Sequence, residues 1–246
     1  MRSFLYSSDF AVSSILSCAW SVMQKNLIVF LGIVLLNVTV MAVFDRIAKT
    51  YAPSFALLPL GGRVVLLIVI FLIVALAYAL IGSLTANIVF ELLQDEWCSV
   101  MISLKRCANG ILSAFLGSVI YLLVLLILQI APLLSFILGI PAIIIMFRQL
   151  TNWFVFIPVC IVEKVGPIES LSRSSELVNE CFWKVFFVVL FTIGVPKVLE
   201  FIMEKIAIKD VVLYYLLYIP IMSIPLILIS ILPAITYFKL MTTQEG

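Results

Sequence analysis

Runs of about twenty apolar residues recur along the whole chain, with the charges gathered between them. A helix needs roughly 20 apolar residues to cross the hydrocarbon core of a bilayer, and helices separated by short charged loops are the pattern that insertion produces. Composition points the same way. Of the 246 residues, 65% are hydrophobic and 11% are charged, against roughly 45–50% and 25% in soluble domains. The expected fold is an all-α integral membrane protein forming a single membrane domain.

Six transmembrane helices are expected, over residues 27–44, 64–90, 111–138, 142–162, 183–203 and 211–237. The second exceeds the minimum crossing length and should tilt or protrude. Between the third and fourth, Gly139-Ile140-Pro141 favours a turn. A turn at Pro132 is the alternative and would leave Arg148 near mid-membrane, whereas the first division leaves it within snorkelling distance of an interface. Pro220, Pro225 and Pro233 should kink the last span.

Three further stretches alternate at helical spacing without being apolar enough to cross. Residues 9–25 carry Val12, Ile15, Leu16, Ala19, Trp20 and Met23 on one face. Residues 91–110 do the same with Leu93, Trp97, Val100, Met101, Leu104 and Ala108. Residues 163–182 do so with Ile168, Leu171, Val178 and Phe182, after a Gly166-Pro167 start that suits a first helical turn. The order reads as three units, each an amphipathic helix followed by a two-span hairpin. Little residue identity links the units, so the recurrence is one of layout.

An even number of spans puts both termini on one side. Lys and Arg are slightly more frequent on that side, and all three amphipathic stretches fall there, with Lys105, Arg106 and Lys184 available to anionic lipid. Both termini are therefore expected in the cytoplasm. The N-terminus lacks the basic region, apolar core and cleavage site of a secretory signal.

The chain has no histidine, which removes the commonest general base, the usual nucleophile partner and a major class of metal ligand. Cys18, Cys98, Cys107, Cys160 and Cys181 show neither metal-binding nor disulfide spacing and read as small packed hydrophobes. Glycine patterns for nucleotide phosphates are absent. No catalytic residue, metal or cofactor is expected, and the chain reads as a non-enzyme. A net charge of +2 with scattered basic residues gives nucleic acid no surface to bind. The partners expected are the lipid bilayer and, beyond it, a membrane or cytoplasmic protein.

Polar residues inside the spans are the better functional candidates, because each costs free energy in lipid unless it is partnered. Asn37 lies in the first span, and Ser83 and Asn87 share one face of the second on the way to Glu91. Helix-to-helix hydrogen bonds account for them as well as a solute path does. Arg148 could face inward with Glu200 as counter-ion, or snorkel outward. Lys197 and Glu200 could equally pair with each other. Trp20, Trp97, Trp153 and Trp183 fall where interfacial anchors are expected.

The segment from Ile140 to Phe186 carries a pattern: Ile140-Pro141, Arg148, Pro158, Glu163, Ser170-Leu171-Ser172-Arg173-Ser174, Leu177 and Trp183-Lys184. In these residues the chain resembles the bacterial YciC-like family of multi-pass inner-membrane proteins and the membrane domain attached to some glycerophosphodiester phosphodiesterases. The resemblance implies a bacterial cytoplasmic-membrane location, cytoplasmic termini and no settled biochemical role. It does not imply diesterase activity, since the catalytic domain of those enzymes is absent here. The resemblance marks Pro141, Pro158, Glu163, Arg173 and Trp183 as a structural motif, and the residues themselves, with Glu169 added, read as a bend anchored by charge. In it Arg173 reaches Glu163 or Glu169, an interaction of ~1 kcal/mol when partly shielded. Two functional readings remain: a non-enzymatic envelope or scaffold factor, and a small permease for an anionic or amphipathic solute.

Overall fold

The computed structural model describes residues 10–35, 59–93, 103, 110–134, 136–205 and 211–244. Among these, the chain forms α1 (Val12–Lys25), α2 (Leu27–Leu35), α3 (Leu60–Leu93), α4 (Ile111–Leu134), α5 (Phe136–Asn152), α6 (Phe156–Glu163), α7 (Pro167–Asn179), α8 (Phe182–Lys205) and α9 (Val211–Gln244). Five segments are long and apolar enough to cross a membrane: α3, α4, α5 with α6, α8 and α9. The number rises to six if α1 and α2, bent by 92° around Asn26, make one broken span.

Large side chains such as Ile68, Leu72, Leu126, Ile144, Phe187 and Phe201 stand exposed on the outside of α3, α4, α5 and α8. Apolar surface on that scale is untenable in water. The chain is an all-α, multi-pass membrane protein.

Burial is uneven. Of the most apolar window of α9, 56% is buried, against 11% in α3, so α9 is the central post and α3 is largely a lipid-facing wall. The main core gathers α1, the last turns of α3, the start of α8 and Ile227 to Leu240 of α9. A second core surrounds α6, with Phe156, Ile157, Cys160 and Ile161 packed against Ala79 and Ala114.

That second core depends on small residues. A methyl group added at Gly82 would stand 2.6 Å from Ile157 Cδ1, one at Gly110 2.9 Å from Ile161 Cδ1, and one at Gly117 3.1 Å from the Phe156 ring. With no hydrophobic driving force between helices in lipid, close backbone approach through small residues is what makes α3 and α4 grip α6.

Several boundaries differ from the sequence expectation. Between the third and fourth spans, α4 runs to Leu134 and α5 starts at Phe136, with residue 135 outside the described residues. Neither expected turn forms: Pro132 is inside α4 and Gly139-Ile140-Pro141 is inside α5. Pro141 is the sixth residue of α5 and removes a single backbone hydrogen bond close to the helix start, a cost the helix absorbs. The fourth span is two helices, not one, interrupted at residues 153–155. α3 begins at Leu60, drawing Gly61-Gly62-Arg63 into the helix, with the Arg63 N–H donating to the Pro59 carbonyl. α9 continues to Gln244, carrying Lys239 with it.

The amphipathic faces also rotate. α1 buries Ile15, Cys18, Ala19, Val22 and Met23 and leaves Trp20 outside. α7 buries Ser170, Leu171, Ser174, Leu177 and Val178 and leaves Ile168 exposed. The third expected amphipathic stretch, residues 91–110, lies mostly outside the described residues, as does the first span beyond Leu35.

Replacing Gly117 with leucine should overpack the α4–α6 contact and lower stability by about 1–3 kcal/mol, read as a depressed melting temperature in detergent. G194A, at a helical glycine with nothing within 4 Å of its added methyl, should leave the melting temperature unchanged or raised.

Candidate functional site

The motif segment folds around the interruption in the fourth span. Pro158 has no N–H, and its ring clashes with the carbonyl four residues earlier, at Phe154, so the helix cannot run through. Thr151 adds to the bend by donating to the Phe147 carbonyl at 2.8 Å. The Phe156 N–H turns to the Trp153 carbonyl at 3.3 Å, which leaves the Asn152 carbonyl without its usual helical donor. Ser174 of α7 supplies one: its hydroxyl donates to Asn152 O at 2.7 Å across 22 residues of chain.

The exit from α6 is equally defined. Lys164 adopts a left-handed conformation with φ of 55°, reversing the chain, and Gly166-Pro167 opens α7 with the Ser170 N–H donating to the Gly166 carbonyl at 2.8 Å. Glu163, the last residue of α6, accepts from the Tyr237 hydroxyl of α9 at 3.1 Å and pairs with Arg173 Nε at 3.4 Å. Arg173 also approaches Glu176 at 3.5 Å. One guanidinium therefore lies between two carboxylates. Glu169 is exposed and outside the cluster, so of the two partners open to Arg173 it is Glu163 that is in reach. The Glu163 and Arg173 side chains are 21% and 35% exposed, partial shielding for which a pair contributes ~1 kcal/mol.

Other charges are more deeply placed. Glu91, at the end of α3, is 3% exposed and its carboxylate accepts from Ser103 at 2.9 Å. Lys239 on α9 is 1% exposed. The rings of Phe90 and Phe238, one residue before each, lie 4.8 Å apart, so these charges belong to the same end of the molecule as the Glu163 cluster. Neither is among the candidates expected from the sequence, although Glu91 ends the polar series of the second span. Glu91 continues the Ser83, Asn87 series at steps of four, which was a usable signal. Lys239 gave none while the last span was taken to end at residue 237.

On the other flank of α7, a groove of about 770 Å³ opens between α5, α7 and α8. One wall is aromatic: the rings of Phe147 and Phe186 meet edge to face at 6.2 Å, and Trp183 packs on Phe186 at 5.7 Å. The other wall is polar and includes Ser172, Glu176 and Asn179 of α7. Arg148 lines it from α5 and is exposed, with no hydrogen bond or ion pair to any described residue.

The path candidates do not converge. Glu200 pairs with Lys197 at 2.7 Å and lies about 20 Å along α8 from the groove at 1.5 Å per residue, so the expected alternative of an Arg148–Glu200 pair does not form. The early start of α5 and the break after Asn152 carry Arg148 to the α7 end. Ser83 is fully buried on α3 and its hydroxyl has no hydrogen-bond partner among the described residues. Asn87 is half-buried one turn further on. Asn37 lies outside the described residues. A separate interior cavity of about 280 Å³ is bounded by Tyr78, Tyr121, Pro158, Thr192 and Ser230 among apolar neighbours, and none of Ser83, Asn87, Arg148 and Glu200 lines it.

Among the described residues, no three His, Cys, Asp or Glu side chains are placed to share a metal ion. Cys18 and Cys160 are buried and free, and Cys181 is half-buried. Burial pushes the Cys181 thiol up, against a smaller opposing pull from Lys184. Comparison with protein-family models, curated proteins and solved structures finds no match to this chain.

A double-mutant cycle on E163Q and R173Q, read by thermal unfolding in detergent, should give each single variant a loss of about 1 kcal/mol and a coupling energy of similar size. Additive losses would mean the two side chains do not support each other.

Proposed function

We propose that this protein is a non-enzymatic, polytopic membrane factor whose short interfacial helices present a fixed surface at one face of the bilayer. The observation that carries this reading is the attachment of α7. It is held to the membrane-spanning helices through Ser174 to Asn152, Arg173 to Glu163 and, through Glu163, to Tyr237. A helix that merely rested on lipid would need no such bonds, whereas a surface offered to a membrane or cytoplasmic partner gains from being held rigid. Its outer side shows Ile168, Glu169, Ser172 and Glu176 to the surroundings.

The likeness of the 140–186 segment to YciC-like proteins adds a bacterial cytoplasmic membrane and cytoplasmic termini to the proposal. Packing of α1 against the C-terminal half of α9 supports placing both termini on one side.

One observation favours the permease reading instead. A broken span beside an interior cavity is a pattern that transporters use, and Pro158 lines the 280 Å³ cavity. Its walls are mostly apolar and the intramembrane polar candidates lie elsewhere, which fits a packing cavity better than a solute path.

Single cysteines at Tyr78, Thr192 and Ser230, introduced one at a time on a cysteine-free background, separate the two. Under the scaffold reading they stay silent to a membrane-impermeant maleimide in vesicles of either orientation. A cysteine at Ser172 labels only in inside-out vesicles. Labelling at the cavity positions would replace the scaffold with the permease, and labelling of Ser172 in right-side-out vesicles would reverse the orientation.

A further inference from the structure

We propose that the groove between α5, α7 and α8 is a binding site for one glycerophospholipid of the ethanolamine type. Its phosphodiester lies on the Arg148 guanidinium, its ammonium group faces Glu176, and an acyl chain follows the aromatic wall. This holds under either functional reading, because it depends on the groove alone.

Charge selects the headgroup. An exposed arginine with no protein partner among the described residues, on a helix otherwise flanked by Ile143, Ile144 and Phe147, leaves a guanidinium fork open to a phosphate, the anion it fits bidentately. On the α7 wall the groove is lined by Glu176, whose partner Arg173 is shared with Glu163 behind it, so two carboxylates divide one guanidinium and that side is negative. The Glu176 side chain is 63% exposed. The site is therefore dipolar, positive on α5 and negative on α7. A headgroup with a second negative charge or only neutral hydroxyls leaves that carboxylate with nothing beyond its 3.5 Å share of Arg173, whereas a phosphate linked to a primary ammonium matches both ends.

Shape selects a lipid over a free headgroup. A volume of about 770 Å³ lies within the roughly 300–1,000 Å³ of small-molecule sites and far exceeds the room a phosphate requires. Phe147, Phe186 and Trp183 form a continuous apolar strip next to the charges, and Ile143 and Ile144 line the groove one turn before Arg148. An arginine that only snorkelled to bulk headgroups would have no second wall. Here α7 supplies one.

The full chain, purified in mild detergent and stripped of lipid, is offered equimolar phosphatidylethanolamine and phosphatidylglycerol with identical acyl chains. Bound lipid is counted by native mass spectrometry. The expected result is one retained phosphatidylethanolamine per chain, in preference to phosphatidylglycerol. R148Q should weaken retention of both lipids by about tenfold, the equivalent of one lost charge-assisted contact, and R148K should fall between. E176Q should keep binding but lose the preference for ethanolamine. K197Q, remote from the groove, should behave as the parent. Should R148Q fail to fold, E176Q and R148K still decide the matter. Preference for phosphatidylglycerol, retention insensitive to both R148K and R148Q, an unchanged preference in E176Q, or displacement of the lipid by millimolar phosphoethanolamine would each overturn the assignment.

Discussion

A proline that stops one span shapes much of this molecule. In lipid no water is at hand to satisfy an opened backbone, so every freed N–H or carbonyl must find a partner inside the protein. The fourth span breaks ahead of Pro158, the Phe156 N–H turns to the Trp153 carbonyl and leaves that of Asn152 open, and the hydroxyl of Ser174 takes it up at 2.7 Å. That one requirement ties α7 to α5. With α7 in place, Arg173 is brought within 3.4 Å of Glu163 and the polar wall stands opposite Arg148. The break, the elbow and the groove are thus a single construction, in which the amphipathic helix is the plug for the hole at the break.

The short helix α6 is what remains of the interrupted span, and the two neighbouring helices have thinned themselves to receive it. Ala79 and Gly82 on α3, with Gly110, Ala114 and Gly117 beside and along α4, face its large side chains Phe156, Ile157 and Ile161. The balance is one of shape: bulk on the short helix, absence of bulk on the long ones. Polar bonds at the ends of α6 and close apolar packing along its length together hold a segment of only eight residues that could not persist as a helix by itself.

The fold class was legible from apolar runs alone, since hydrophobic length is a property of sequence and needs no tertiary information. The start of α7 at Gly166-Pro167 and the reach of Arg173 to Glu163 could be read because they follow from local backbone chemistry and side-chain length. What could not be read was anything decided by a neighbour. Pro141 looks like a turn former until α5 is seen to start five residues earlier. Trp20 and Ile168 look like core positions because they are apolar, yet in a bilayer the outside is apolar too, so the hydrophobic pattern no longer tells inward from outward. Depth counted along unbroken helices leaves Arg148 free to meet Glu200 or to snorkel outward, and the early start of α5 with the break after Asn152 puts it beside α7 instead.

The distribution of burial has a consequence for how the chain is made. Synthesis produces α1 first and α9 last, yet the buried face of α1, with Ile15, Ala19 and Val22 at 0% exposure, packs in the same core as Ile231 and Leu240 of α9. During translation that face lacks its main partners, the start of α8 and the C-terminal half of α9, until those helices are inserted. α3 and α4, with most of their apolar surface turned to lipid, can enter the membrane early and independently. α1 therefore gains its core partners only once α8 and α9 are in place, so the first of the described helices is packed by the last two.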